Sequence, residues 1–244
     1  MKKKIIGITL FLFLMNLQIL FSMDAGALLK RVDSNLFSEG SQSYRKLINE
    51  EPNGNKKEFV FFAVKKGKTK LALLYLTPAS EKGRATLRVD DNMWLYIPNV
   101  GKPIRITSLQ SITGGIFNNS DIMQLDYSEE YNASVFEENA KEYILELKAK
   151  NKSIAYDKLK MWVEKKNELP TKIECYSTSG MLLKTLEFKD IKAFDKKYVR
   201  PAVIESVSPL YKGYKSTMIF SDVKLKNFSD EIFSLNFLSK LESL

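Results

Sequence analysis

Phe59-Val60-Phe61-Phe62-Ala63-Val64, then Leu71-Ala72-Leu73-Leu74-Tyr75-Leu76 across a Lys66-Gly67 turn, then Met93-Trp94-Leu95-Tyr96-Ile97, decide the fold. Side chains alternate between the two faces of a strand. In these three segments neither face is polar. An antiparallel sheet with one wet face reads apolar on one side only, so this part of the sheet is covered on both sides. Polar residues do interrupt Ile104-Arg105-Ile106-Thr107 and Leu159-Lys160-Met161-Trp162-Val163-Glu164. One cover is expected to be an N-terminal helix. The other is either a filled core or an apolar cavity, which share a composition.

Outward from this stretch the strand pattern continues. Candidate strands are Ser43–Asn49, Lys57–Lys65, Thr69–Thr77, Arg84–Asp90, Met93–Ile97, Pro103–Thr107, Tyr131–Glu137, Glu142–Lys150, Leu159–Lys165, Thr171–Ser177, Leu182–Lys189, Val199–Ser206 and Ser216–Val223. Turn signals such as Pro52-Asn53-Gly54-Asn55, Pro98-Asn99-Val100-Gly101 and Ser179-Gly180 separate them. Short strands at such spacing predict a mainly β fold, one antiparallel sheet strongly curved or rolled into a barrel. Asp24 to Phe37 reads as an amphipathic helix. Ala25, Leu28, Leu29, Val32 and Leu36 are on its apolar face, Lys30, Arg31 and Asp33 point away, Asp24 is the N-cap and Gly40 lies just beyond the end. Ser229 to Leu244 is expected to form a short closing helix carrying Ile232, Phe233, Phe237 and Leu241.

Residues 1–22 read as a secretory signal peptide. Lys2, Lys3 and Lys4 precede an apolar run from Ile5 to Phe21, and cleavage is expected between Ser22 and Ala25. The other reading of that run is an uncleaved N-terminal anchor. Residues 23–244 are expected to form a single domain in the periplasm.

The chain of 244 residues contains no histidine and one cysteine, Cys175. That removes His-dependent nucleophilic triads, His-ligated zinc and any internal disulfide. Cys175 reads as a buried, inert thiol. The acid pairs Asp90-Asp91, Glu129-Glu130 and Glu137-Glu138 read as solvated turns. Thr113-Gly114-Gly115-Ile116 lacks the Lys and Ser/Thr of a phosphate loop. The net charge of +9 is spread among interleaved acids. The cluster Lys65-Lys66-Gly67-Lys68-Thr69-Lys70 reads as a solvated hairpin tip, not a nucleic-acid patch. No enzyme, metal or cofactor is expected.

The middle of the chain resembles a known family. Trp94-Leu95-Tyr96-Ile97-Pro98 with Lys102-Pro103-Ile104-Arg105-Ile106, and then Gly115-Ile116-Phe117-Asn118-Asn119-Ser120-Asp121-Ile122-Met123, are similar to passages of the bacterial outer membrane lipoprotein-sorting proteins, the LolA/LolB-like periplasmic lipid carriers. Tyr156, Trp162-Val163, Leu169-Pro170-Thr171-Lys172, Tyr176, Ser179-Gly180, Lys215-Ser216-Thr217, Phe233 and Leu238 follow in the family's order. Ile104 stands where the family usually has a second Arg, and Ile122 to Tyr127 depart from its aromatic-rich form. The resemblance implies a half-open antiparallel β-barrel closed by helices. It also implies a cavity for the acyl chains of lipoproteins or lipids, partnership with an inner-membrane transporter and an outer-membrane acceptor, and a monomer without cofactors. The bland alternative is an exported scaffold or interaction domain with a filled barrel. The expected cavity wall is Phe59, Phe61, Leu71, Leu73, Trp94, Tyr96, Ile104 and Ile106, which occupy alternate positions along four strand candidates. The opposite set is Val60, Phe62, Leu74 and Leu95.

Overall fold

The computed structural model describes residues 23–195 and 198–244. The expected signal peptide lies outside the described residues. Helix α1, Ala25–Leu36, starts at Asp24, whose carboxylate accepts from the backbone N–H groups of Gly26 and Ala27. Thirteen strands follow: β1 Gly40–Glu50, β2 Lys56–Lys66, β3 Lys70–Thr77, β4 Ala85–Val89, β5 Asn92–Tyr96, β6 Ile104–Ile106, β7 Tyr131–Glu138, β8 Glu142–Ala149, β9 Lys158–Glu164, β10 Pro170–Tyr176, β11 Leu182–Phe194, β12 Tyr198–Val207 and β13 Lys215–Leu225. Every expected strand is present. The largest extension is at β11, which runs on to Phe194.

All thirteen strands lie in one antiparallel sheet in the order β6-β5-β4-β3-β2-β1-β13-β12-β11-β10-β9-β8-β7. Two meanders, β1–β6 and β7–β13, therefore meet at one seam, where the first strand pairs with the last. The sheet is not closed, and β6 and β7 are its edges. The chain crosses from one edge to the other through residues 107–130, which include the short helices α2, Asn119–Ile122, and α3, Tyr127–Glu130.

Cross-strand partners share a face, so the pairings fix the two sides. Phe61 pairs with Tyr75, Ala63 with Leu73, Leu73 with Thr86, Thr86 with Leu95 and Leu95 with Ile104. These define an inner face. Phe59, Phe61, Leu71, Leu73 and Tyr75 are buried there in one core with α1 and with Phe117, Ile122, Met123 and Leu125 of the crossing segment. On the outer face Val64, Ala72, Leu74, Ala85 and Leu87 pack against Phe228, Ile232, Phe233, Leu238 and Leu241. The C-terminal segment thus forms two short 3₁₀ helices, Asp230–Phe233 and Leu235–Ser243, and supplies the second cover. Residues 59–97 are apolar on both faces because protein lies on both sides. Asp230 ties this outer cover to Lys66 at 2.9 Å and Lys70 at 2.6 Å.

Three sequence readings are corrected by burial. Asp33 does not face away on α1. It is buried and accepts from the N–H groups of Tyr127 and Ser128, at 2.8 and 2.7 Å, where α3 begins. Lys65 is not part of a solvated tip but pairs with buried Asp126 at 3.2 Å. Glu130 is not a turn acid but the buried partner of Arg88. In each case a lone charge is tolerated inside because a specific partner meets it. Gly40 also has a different task. A Cβ there would lie 2.6 Å from the Lys226 carbonyl oxygen, so glycine permits the close approach at the end of the β1–β13 pair.

Candidate functional site: the inner face and its cover

Residues 107–130 lie over the inner face without a strand to pair with, so their backbone polar groups need other partners. Side chains rising from the sheet provide them. From β1, Asn49 donates to the carbonyls of Thr113 and Gly114, and Arg45 Nη1 donates to the Ile122 carbonyl at 2.9 Å. From β4, Arg88 Nη1 donates to the Met123 carbonyl at 3.1 Å. From β13, the Ser216 hydroxyl accepts from Ile116 N–H and donates to Asn49 Oδ1. From β11, Lys184 donates to the Ile116 carbonyl and pairs with Asp121 at 2.7 Å. Asp121 also accepts from the Tyr156 hydroxyl at 2.8 Å and closes a capping box with Asn118 at the start of α2. The cover is a distinct layer, fastened to the sheet by polar points among apolar contacts.

Gly115 allows the cover to pass the seam. Its φ is +74°, and an added Cβ would fall 2.2 Å from Asn49 Oδ1. Gly114 has φ +73° but faces open space.

Among the described residues, two cavities lie between cover and sheet. One, of about 30 Å³, is lined by Leu36 and Phe37 at the end of α1, by Phe117, Asp121, Gln124 and Tyr127 of the cover, and by Arg45, Phe188, Arg200, Ile204, Met218 and Phe220 of the sheet. The other, of about 10 Å³, adjoins Asp121, Gln124 and Tyr127 and reaches Tyr156, Ile173 and Cys175. Ligand pockets usually measure several hundred Å³, so this is a closed arrangement. Larger depressions of about 360 and 660 Å³ are open to solvent, with polar and apolar side chains mixed in their lining.

None of the residues expected as the cavity wall lines these spaces. Phe59, Phe61, Leu71 and Leu73 share the inner face but are sealed in the core. Ile104 and Ile106 belong to the same face at the β6 edge, where Ile104 is exposed and Ile106 packs with Met93 and Leu95. Trp94 and Tyr96 are on the outer face against the C-terminal cover, because β5 pairs through Leu95 with inward Thr86. Leu95, counted with the opposite set, points inward, whereas Val60, Phe62 and Leu74 are on the outer side.

The site residues that sequence reasoning missed are Arg45 and Arg200. Arg45 pairs in register with Phe220 on β13, and both guanidiniums lie over the Phe220 ring, at 5.3 and 4.0 Å from its centroid. A signal existed in β1, where Arg45 falls at the same parity as buried Leu47.

Burial sets the electrostatics. It pushes the Asp33 carboxyl from an ordinary 3.8 up to about 7, against the hydrogen bonds from α3. It also raises Asp126, lowers Lys65 and pushes the Cys175 thiol well up, consistent with an inert sulfur. Between the two Asp33 values the folded protein holds a proton that the unfolded chain has released. Stability therefore falls as pH rises from about 4 to about 7, and the upward shift of Asp126 acts in the same direction. The melting temperature should decline across that window, with a shallower decline in Asp33→Asn. A wild-type profile that is flat there would contradict the assignment.

The comparisons agree with this geometry. A family model described as "Uncharacterized protein" matches residues 67–240. The structure is similar to that of a LolA superfamily protein from Nitrosomonas europaea, with TM-score 0.81, 28% identity, and coverage of 88% of this chain and 100% of that one. A domain assigned as an outer membrane lipoprotein-sorting protein from Vibrio parahaemolyticus superposes with TM-score 0.76 at 21% identity, covering 88% and 98%. A DUF1329 family protein from Desulfovibrio piger gives TM-score 0.77 at 24% identity, covering 87% and 97%. No curated protein matches the chain. An unclosed antiparallel sheet, a helix and crossing segment laid across its inner face, and a family match over most of the chain place this protein in a LolA-like family.

Proposed function

We propose that the protein is an exported periplasmic carrier. It holds the acyl chains of lipoproteins or lipids between the inner face and its cover, and ferries them toward the outer membrane without chemistry. Residues 1–22 serve as a cleaved signal peptide and residues 23–244 work as one domain. An inner-membrane transporter loads it as a monomer, and an outer-membrane acceptor unloads it. The observation that carries this reading is the cover, an apolar layer held to the sheet and to α1 at separable polar points rather than by strand pairing. The likeness to the Nitrosomonas europaea protein supports it.

Burial of an acyl chain is worth ~0.8 kcal/mol per methylene, so ten methylenes offset ~8 kcal/mol of exposure. A chain of that size exceeds the closed cavities, so loading requires the cover to lift from the sheet. The small size of those cavities favours the second reading, an exported scaffold with a filled barrel.

Two substitutions separate the readings. Ile204 lines the inner cavity and is only half-buried, whereas Leu73 is sealed. A carrier with Ile204→Asn should melt near the wild-type temperature but lose a fluorescent acyl probe. Leu73→Asn buries an unpaired amide at ~1–3 kcal/mol beyond the lost packing and should melt several degrees lower. Equal melting losses with no probe bound by the wild type would favour the scaffold. Lipid co-purifying with the wild type would favour the carrier.

A further inference from the structure

Among the described residues most buried cations have a buried acid. Arg88 has Glu130, Lys65 has Asp126 and Lys184 has Asp121. Arg45 and Arg200 do not. Both are more than nine-tenths buried, yet among the described residues neither meets a carboxylate within 4.0 Å. The two residues outside the description near them in sequence, Lys196 and Lys197, carry no carboxylate. Arg45 spends one donor on the Ile122 carbonyl, and its Nε has no hydrogen-bond partner. Arg200 Nε reaches only the carbonyl of its neighbour Pro201, at 3.2 Å. Asp121 also borders the cavity, but Lys184 already neutralises it. An uncompensated buried charge is strongly unfavourable. The closed state relieves part of that through the Phe220 ring.

The surroundings state what kind of anion would fit. The guanidiniums share their cavity with Phe117, Ile204, Met218 and Phe220. A free small anion would gain charge pairing there but would leave this apolar wall unused. An oxyanion attached to acyl chains uses both. Guanidinium forks match carboxylate and phosphate oxygens.

We propose that Arg45 and Arg200 are the headgroup seat of the acyl compartment and select lipids bearing a carboxylate or phosphate at the head of the chain. This rests on the carrier reading above. Burial and the neighbouring Arg200 charge lower Arg45 to about 9, the direction expected of a cation short of its counter-ion. Closing the cover over an acidic lipid would supply that counter-ion.

The test uses the full chain, a fluorescent polyene fatty acid and its methyl ester, which differ only in the head. The acid should bind roughly tenfold or more tightly, as one charged hydrogen-bonded contact gives. Arg200→Gln and Arg45→Gln should each move that ratio toward one, and Arg200→Lys should retain part of it. Competition by phosphatidate but not diacylglycerol would identify a lipid phosphate as the natural head. Competition by fatty acid over phosphatidate would identify the carboxylate. Equal wild-type affinity for acid and ester overturns the headgroup seat and leaves the carrier reading standing. Binding of neither probe rejects both. Displacement of the probe by inorganic phosphate alone would make this a free-anion site and overturn the proposal. If the glutamine variants fail to fold, the wild-type ratio still decides.

Discussion

Glu130→Ala is expected to destabilise the protein by ~3–5 kcal/mol, because it strands the Arg88 guanidinium in the interior. Arg88 and Glu130 are almost fully buried, at 2% and 5% side-chain exposure. Arg88 also donates to the carbonyls of Asp90 and Met123, so it cannot swing out to water without releasing the cover. Removing both charges in Arg88→Met/Glu130→Leu should recover much of the loss, with a remainder for the unpaired Met123 carbonyl. Urea denaturation measures all three. A single Glu130→Ala within ~1 kcal/mol of wild type would show that water reaches Arg88.

Gly115→Ala should cost ~2–4 kcal/mol, against ~1 kcal/mol for Gly114→Ala. Both glycines have positive φ, so both substitutions incur the backbone penalty. Only at Gly115 does the new methyl group collide with the Asn49 amide. That amide cannot move aside without giving up Thr113, Gly114 and Ser216, and all of these partners are needed to seat the cover at the seam. Thermal melting of the two variants side by side checks the difference. Equal losses would mean that Asn49 repacks.

The strands were readable because alternation and turn residues are local signals. Which face each strand turns inward was not, because it depends on register across the hairpins. Trp94 and Tyr96 show this well. On β4 the inward residues are Thr86 and Arg88 and the outward ones are Ala85 and Leu87, so apolar character there marks the C-terminal cover and not the interior. A count of apolar positions alone carries Trp94 inward. The cover itself has no periodicity, since its residues are placed by side chains from five different strands. Asp33, Lys65 and Glu130 looked solvated because their partners are far away in sequence. Arg45 and Arg200 became visible as a pair only when β12, β13 and β1 came together.

The seam between the two meanders has a consequence for the order of assembly. Within each meander every strand pairs with its sequence neighbour, which favours fast, independent formation. The β1–β13 pair instead joins residues 40–50 to residues 215–225, so it must wait for nearly the whole chain. Arg45 comes from one side of that junction, and Phe220 and Arg200 from the other. A nascent or truncated chain therefore has apolar hairpins but no charged floor. The two guanidiniums therefore meet over the Phe220 ring only once the most sequence-distant pairing of the sheet has formed.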